Sequence, residues 1–331
     1  MYIYGSEILL PQNFNDEVVS ELKHTSFSSG KILLDKDHYN YPVRSDEKIM
    51  RQDTIASILC TSDLINNSPI KIDNYDTGLF VGSGVFIENV EKHLGHLTRV
   101  YDKIKDETDN SEKNHKLYRI SPPLLALQTL TNSTMSFIAQ YVGLKGNNAT
   151  YGNTSYSGFQ VIKQALIDAN LKKKYSVAVS SNGAGEYSFL VNSVHRKNYA
   201  GWKEGACASS LLIGPEKDAA IAKIHQIKAG SNTSFFEGGI RRNWAELLEE
   251  KIDVAICSGA FTEEESNDDL AYCSGFVTEA HSLFSEFGNL GASNIHASIN
   301  KGIELLNSGD EKVAILDRDI YNRETLVVLT K

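Results

Sequence analysis

Short apolar segments of strand length alternate along this sequence with segments of helical periodicity. Residues 77–84 read TGLFVGSG, residues 175–180 read YSVAVS and residues 254–257 read VAIC. Such runs, bounded by small residues, are typical of strands that are buried on both faces. Between them, residues 159–169 place apolar side chains on one face of a helix. The alternation predicts an α/β protein whose sheets are covered by helices.

The same rhythm continues in the second part of the chain, with a helix predicted over residues 295–306 and strands over 312–316 and 325–330. A chain of 331 residues has room for two packed halves of about 150 residues each. No repeat of residues is visible, so the duplication is inferred from the order of elements. We place the two halves at residues 1–190 and 191–331.

The segment 102–116, DKIKDETDNSEKNHK, is charged and almost free of apolar side chains. Such a composition cannot supply a buried face. We predict an exposed loop here rather than a domain boundary.

Charge and hydropathy exclude several functional classes. The formal net charge is −9 and no basic stripe is present, which argues against binding to nucleic acid. No run approaches the roughly 20 apolar residues that cross a bilayer, and the start of the chain lacks the pattern of a secretory signal. We therefore expect no membrane attachment and a cytoplasmic location. The four cysteines have no metal-ligand spacing, so we expect neither a metal nor a cofactor.

A turn rich in Ser, Thr, Asn and Gly, residues 146–158, leads directly into the helix predicted over 159–169. A hydroxyl in this turn would lie near a helix N-terminus, where free N–H groups and the helix dipole stabilise negative charge. The alternative is a simple capping sequence, because Ser and Thr are preferred caps. The spacing is not GxSxG, so the nucleophile elbow of a hydrolase is not supported.

Several segments, in order, resemble those of β-ketoacyl synthases of the thiolase superfamily. Around the nucleophile of that family, the matching residues are Pro123, Asn132, Gly143, Gly146, Thr150 and Gly158. Residues 204–214 resemble a glycine-alanine strand of the family, and residues 287–293 (FGNLGAS) resemble a turn near its C-terminus. The resemblance implies a thiolase-like fold with duplicated halves in α-β-α-β-α layers.

The sequence departs from the family pattern at the positions of the family's catalytic residues. The alignment puts Ser155 where the family has its nucleophilic cysteine, and Ser258 near the place of its first catalytic histidine. Asn289 stands where condensing synthases often have a second histidine, whereas the starter-condensing subgroup has Asn. His281 is the histidine that the resemblance places beside the pocket, although a lone histidine is more often a structural residue. Ser155, Ser258, Asn289 and His281 are thus the candidate catalytic residues.

Two interpretations follow from the resemblance. The first is a degenerate homologue similar to a chain-length factor, a non-catalytic partner of an active, Cys-containing ketosynthase. The second is an active acyltransferase, or a starter-unit-selecting synthase, that uses Ser155 as acyl acceptor. Both imply an acyl carrier protein or acyl-CoA as partner. Both also imply a dimer, possibly a heterodimer, formed near the strand that precedes Ser155. We further expect Ser155, Ser258 and Asn289 to meet around one pocket.

Overall fold

The computed structural model of the protein describes residues 1–20, 25–32, 34, 43, 46, 49–84, 90–120, 130, 132–152, 154–172, 174–194, 200–231, 244–321 and 323–331. Its strands are β1 Tyr2–Leu9, β2 Asn13–Ser20, β3 Thr25–Lys31, β4 Gly78–Ser83, β5 Asn148–Gly152, β6 Ser176–Asn182, β7 Lys203–Gly205, β8 Cys207–Gly214, β9 Ala222–Ser231, β10 Val254–Ser258, β11 Glu279–Ser282, β12 Lys312–Arg318 and β13 Arg323–Thr330. Its helices are α1 Gln52–Asn66, α2 Val90–Ile104, α3 Asn110–Ile120, α4 Ser133–Val142, α5 Tyr156–Lys172, α6 Glu186–Ser193, α7 Trp244–Leu247, α8 Glu263–Cys273, α9 Phe284–Phe287 and α10 Asn294–Ser308.

Two sets of five strands with the same topology form a ten-stranded sheet, in the order β11-β10-β12-β13-β9-β1-β8-β6-β4-β5. We call β1, β4, β5, β6 and β8 the first set, and β9 to β13 the second set. In each set the first strand pairs antiparallel with the last, and the last pairs antiparallel with the fourth. The fourth, second and third strands are parallel neighbours. This identity of pairing is the duplication that the order of elements predicted.

The change from one set to the other lies later in the chain than the predicted division at 190/191. Strand β8 ends at Gly214 and belongs to the first set, whereas β9 begins the second set at Ala222. The sequence shows the apolar character of β8 but not its neighbours. In the sheet, β8 lies between β1 and β6, so the last strand of the first set was read as the first strand of the second half.

Helices and strand sets form five layers, because alternate side chains of each strand face different cores. In β4, Phe80 faces a central core, and Leu79 and Val81 face an outer core against α1. In β12, Ile315 faces the same central core, while Leu316 faces an outer core on the opposite side. Helices α5 and α10 lie in the central layer, α1 and α4 cover the first set, and α7 and α8 cover the second set. The α-β-α-β-α architecture is confirmed.

The charged segment 102–116 is not a continuous loop. Helix α2 extends to Ile104 and α3 begins at Asn110, so only a short connection separates them. Most side chains of α3 are exposed. The prediction was wrong because Lys, Glu and Arg have high helix propensity even where a helix buries little surface.

None of the helices described is both long and apolar enough to span a membrane. Pro123, which the resemblance makes the start of a helix, lies outside the described residues.

A buried ion pair links α1 to α4 on the outer face of the first set. The Arg51 Nε lies 2.9 Å from the Asp53 Oδ1, and both side chains are almost fully buried. The Arg51 Nη2 also donates to the Thr134 Oγ1 at 2.8 Å. The Ser181 Oγ donates to the Asp53 Oδ2 at 3.4 Å, which connects the pair to the end of β6. The network therefore joins three elements without access to water.

Candidate functional site at the N-terminus of helix α5

A small cavity lies where the carboxyl ends of parallel strands from both sets meet the N-terminus of α5. Binding sites of α/β proteins are common at this edge of the sheet. The cavity has a volume of about 10 Å³, which is room for about one water molecule. It is lined by Gly84, Thr154, Ser155, Asn182, Asn192, Phe261, Asn289, Gly291 and Ile320. We call it the Ser155 pocket.

Ser155 stands directly before the first residue of α5 and is buried. Its carbonyl accepts a hydrogen bond from the Gly158 N–H at 3.1 Å, which starts the helix. A Cβ on Gly158 would lie 1.9 Å from the Ala292 carbonyl oxygen, so only glycine allows this close approach of α5 to the turn before α10. Within the described residues, the Ser155 hydroxyl has no hydrogen-bond partner. Among the described residues, no base is therefore hydrogen-bonded to the predicted nucleophile.

Asn289 lines the same pocket, but its amide is occupied by the protein itself. The Nδ2 donates to the Ala260 carbonyl at 2.9 Å. The Oδ1 accepts from the Gly291 N–H at 2.8 Å and from the Asn294 Nδ2 at 3.2 Å. These bonds fix the turn between α9 and α10. Asn289 therefore has a structural role, since its side chain holds this turn together.

Ser258 lies outside the Ser155 pocket, at a separate cavity of about 10 Å³ that also includes Leu290 and Ser298. Its hydroxyl donates to the Asp317 Oδ1 at 2.7 Å. Burial of Asp317 raises its pKa to about 7, against the opposing effect of this hydrogen bond. Of the three residues expected around one pocket, the structure thus brings together Ser155 and Asn289, with Ser258 in the adjacent cavity.

His281, the predicted histidine, and the buried His296 lie on different elements. His281 is on β11, at the edge of the sheet, and its Nε2 lies 3.1 Å from the Glu279 Oε1. His296 is on α10, fully buried, with its Nε2 3.3 Å from the Gly158 carbonyl oxygen. Burial lowers the pKa of His296 to about 3, so this imidazole is neutral. Neither is joined to the Ser155 hydroxyl by a hydrogen bond.

Sequence reasoning missed Asn182, Asn192 and a buried carboxyl group behind them. Glu204 is 1% exposed and accepts hydrogen bonds from the Trp202 Nε1 at 3.0 Å and the Asn192 Nδ2 at 3.3 Å. Burial raises the pKa of Glu204 to about 7. The only hint in the sequence is a charged residue inside a segment that otherwise suits a buried strand.

The connection between β12 and β13 also reaches this site. The Arg323 Nη2 donates to the Thr154 Oγ1 at 2.9 Å, and the guanidinium lies 4.4 Å from the centre of the Tyr156 ring. The Asp319 carboxylate accepts from the Arg323 Nε at 2.7 Å. This segment therefore packs against the first residues of α5 with its charge already paired.

In the described part of the chain, no group of three or more His, Cys, Asp or Glu side chains is arranged to hold a metal ion.

Comparisons with known proteins give no match by sequence and many by structure. No family model matches the sequence, and no curated protein matches it significantly. A type II polyketide synthase ketosynthase structure, described as an acyl-carrier protein in complex with its ketosynthase bound to the hexaketide (AntDE:AntF), has a TM-score of 0.69 at 10% identity, over 99% of this chain and 98% of that one. The ishigamide ketosynthase/chain length factor has a TM-score of 0.67 at 14% identity, over 99% of this chain and 98% of that one.

A β-ketoacyl synthase from Burkholderia phymatum is similar over 100% of this chain and 98% of its own length, with a TM-score of 0.68 at 12% identity. At such low identity these likenesses report on architecture alone. They agree with the duplicated five-strand sets and the five layers, and the chain therefore has the thiolase-like fold of the ketosynthases.

Proposed function

We propose that this chain is a non-catalytic partner subunit, similar to a chain-length factor, of an active ketosynthase in fatty-acid or polyketide biosynthesis. The observation that carries the proposal is the state of Ser155. Its hydroxyl stands at the N-terminus of α5, and no described imidazole is bonded to it. A serine hydroxyl is a weak nucleophile near neutral pH unless an adjacent base takes its proton.

Asn289 supports the same function. An amide that takes part in condensation has to direct its N–H group towards the acyl thioester, where negative charge develops. Here one N–H of Asn289 is bonded to Ala260 and the oxygen is bonded twice. These bonds hold the Asn289 amide in the turn between α9 and α10.

The size of the Ser155 pocket points the same way. Sites for small molecules usually have volumes of about 300–1,000 Å³, whereas this cavity holds about 10 Å³. The cavity that the described residues enclose beside Ser155 is too small for an acyl group. A subunit that only supports its partner needs no such room.

Product formation is expected to be unchanged, within about twofold, when Ser155→Ala is assayed in the complex with a Cys-containing ketosynthase and an acyl carrier protein. A hydroxyl that takes no part in the reaction contributes nothing to its barrier. Thr154→Ala is the matched control for disturbance of the start of α5. Intact mass after incubation with acyl-CoA should show no adduct on the unsubstituted chain.

Loss of product with Ser155→Ala, while folding and assembly with the partner are retained, contradicts the proposal. It would favour the alternative function, an acyltransferase or starter-unit-selecting synthase. A stable acyl adduct on Ser155 would do the same.

An exposed sheet edge supports association with another subunit. Strand β5 is the last strand of the ten-stranded sheet. The Leu79 N–H donates to the Asn147 carbonyl. In a parallel pair, the backbone N–H and C=O groups of alternate residues point towards the neighbouring strand, and those of the residues between them point away. Since the carbonyl of Asn147 points towards β4, the N–H of Thr150 points outward. No described strand pairs with this outer edge, and an unpaired edge is a template for a strand of another chain. Neighbours of the fold described as a ketosynthase/chain length factor and as a complex with an acyl-carrier protein make these classes the first partners to test.

A dimer is expected, either of this chain or with the partner ketosynthase, and Thr150→Pro is expected to shift it to monomer. Proline removes the outward N–H and leaves the bonds to β4 in place. Thr150→Val keeps the N–H and the branched side chain, and should remain dimeric. Light scattering in dilute solution measures both. A monomer for the unsubstituted chain, alone and with the partner, contradicts the interface.

A further inference from the structure

Two buried cysteines of the second strand set lie in contact with each other. Cys257 is in β10, and Cys273 is the last residue of α8. Both side chains are at most 1% exposed, and their Sγ atoms are 2.9 Å apart. A disulfide bond between them needs only a small approach of the sulfur atoms, from this distance to the usual bond length of about 2.0 Å.

The sheet fixes the position of Cys257. Strand β10 has a parallel neighbour on each side, so that Cys257 pairs with Ser282 of β11 and with Leu316 of β12. Its side chain packs in the outer core that also contains Cys273 and Trp244. A shift of Cys257 away from its partner would therefore disturb two hydrogen-bonded ladders and a packed core.

A buried ion-pair network attaches the helix of Cys273 to the same sheet. The Arg318 Nε lies 3.2 Å from the Asp269 Oδ2, and the Arg318 Nη2 lies 3.2 Å from the Glu265 Oε2. Arg318 is the last residue of β12, the neighbour of β10, and Asp269 lies one turn before Cys273 on α8. The two sulfur atoms are thus held together by elements that are themselves fixed to each other.

The other two cysteines are also buried but have different neighbours. The Cys60 Sγ donates to the Ala208 carbonyl at 3.4 Å. Cys207 packs against Leu290 and Ala297. Burial is common to all four thiols, whereas the Sγ–Sγ contact belongs to Cys257 and Cys273.

We propose that Cys257 and Cys273 are a site of reversible disulfide formation, which joins β10 covalently to α8. The oxidant is a small disulfide such as oxidised glutathione. One cysteine thiolate attacks it and releases one thiol, and the second thiolate attacks the resulting mixed disulfide and releases the other thiol. The cysteines lose two electrons and two protons, and the oxidant becomes two thiols. Because both thiols are buried, exchange takes place during transient opening of the fold.

Redox equilibrium of the unsubstituted chain measures this property. The protein is incubated in mixtures of reduced and oxidised glutathione, from both the reduced and the oxidised form, in urea too dilute to unfold it but sufficient to allow opening. After acid quenching and alkylation of the remaining thiols, mass spectrometry of peptides gives the fraction of chains with Cys257 linked to Cys273. From this fraction and the glutathione concentrations follows the effective concentration of one thiol at the other. The chain unfolded in concentrated urea is the reference.

The effective concentration is expected to be at least about tenfold higher in the folded chain than in the unfolded chain, because the fold holds the sulfur atoms in contact. A smaller ratio overturns the proposal, as does the absence of the disulfide at equilibrium. Cys60 and Cys207 are the control within the same molecule. If their disulfide reaches the same effective concentration, oxidation follows burial rather than contact, and the proposal is wrong.

Urea unfolding of the oxidised and reduced forms is an independent check. By thermodynamic linkage, a disulfide that the folded state favours stabilises that state by the same factor. The oxidised form should therefore unfold at a higher urea concentration, and an equal or lower midpoint overturns the proposal. Cys273→Ser keeps the size of the side chain but cannot form the bond. An upward shift of its midpoint in oxidised glutathione, equal to that of the unsubstituted chain, would also overturn it.

The proposal goes beyond the proposed function and does not depend on it. Both measurements use the chain alone, without a ketosynthase or an acyl carrier protein. Their failure is therefore distinct from failure of the proposed function.

Discussion

Arg51→Leu is expected to lower the free energy of unfolding by about 3–5 kcal/mol, the range found when one member of a buried ion pair is removed. The substitution leaves the Asp53 carboxylate buried with hydrogen bonds from neutral groups alone among those described here. The Thr134 hydroxyl also loses the donor that bonds it at 2.8 Å. Urea unfolding followed by circular dichroism measures the change.

Two further variants isolate the cause of this loss. Arg51→Leu combined with Asp53→Asn removes both charges and should recover part of the stability, because the isolated carboxylate is gone. Lys301→Ala breaks the exposed pair between Lys301 and Glu304, and pairs of that kind contribute about 0–1 kcal/mol. A loss for Arg51→Leu as small as that for Lys301→Ala would contradict the role given to the buried pair.

Asp317→Asn is expected to stabilise the protein, and to do so by about 2–3 kcal/mol more at pH 8 than at pH 5. Burial raises the pKa of Asp317 from 3.8 to about 7, and nearby Asp319 acts in the same direction, while Arg318 opposes it. Below the lower value the carboxyl group is protonated in both the folded and unfolded states and its ionisation has no effect on stability. Between the two values the unfolded state ionises first, so stability falls as pH rises, and the penalty is constant above pH 7.

Asparagine cannot ionise, and its side-chain oxygen still accepts the Ser258 hydroxyl, so the pH-dependent penalty disappears. The test measures the free energy of unfolding of the variant and of the unsubstituted chain at pH 5 and at pH 8. An equal difference between variant and parent at pH 5 and pH 8 would show that Asp317 is not the group that titrates.

The local sequence pattern was sufficient to predict the helices and strands whose residues are buried on both faces. The apolar runs at 77–84 and 175–180 became β4 and β6, and the helix expected over 159–169 is part of α5. Helix α3 was not predicted because an exposed, charged helix lacks the apolar periodicity that indicates a helix in a sequence. The assignment of β8 failed for a different reason, since its partners β1 and β6 are distant in sequence.

Only those parts of the candidate site that depend on local sequence could be predicted. Ser155 could be placed at the start of a helix because its turn is local, and the motif around Asn289 put that residue beside the same pocket. The bonds that occupy the Asn289 amide come from Ala260 and Asn294, and only the folded chain brings them together. Glu204 was missed because nothing in a single sequence distinguishes a buried carboxyl group from an exposed one.

The central layer has a consequence for how the chain folds as it is synthesised. The core between the strand sets contains Phe159 and Ile162 of α5 together with Ile299 and Ile303 of α10. The first set of strands is complete at Gly214 and α5 already covers its inner face, yet the side of α5 that packs on α10 stays uncovered until α10, which ends at Ser308, has left the ribosome. At about 5–20 residues per second of translation, that interval lasts several seconds, during which an apolar helix face is exposed. The first half is therefore a natural client for chaperones, and the protein is expected to fold as one cooperative unit rather than half by half.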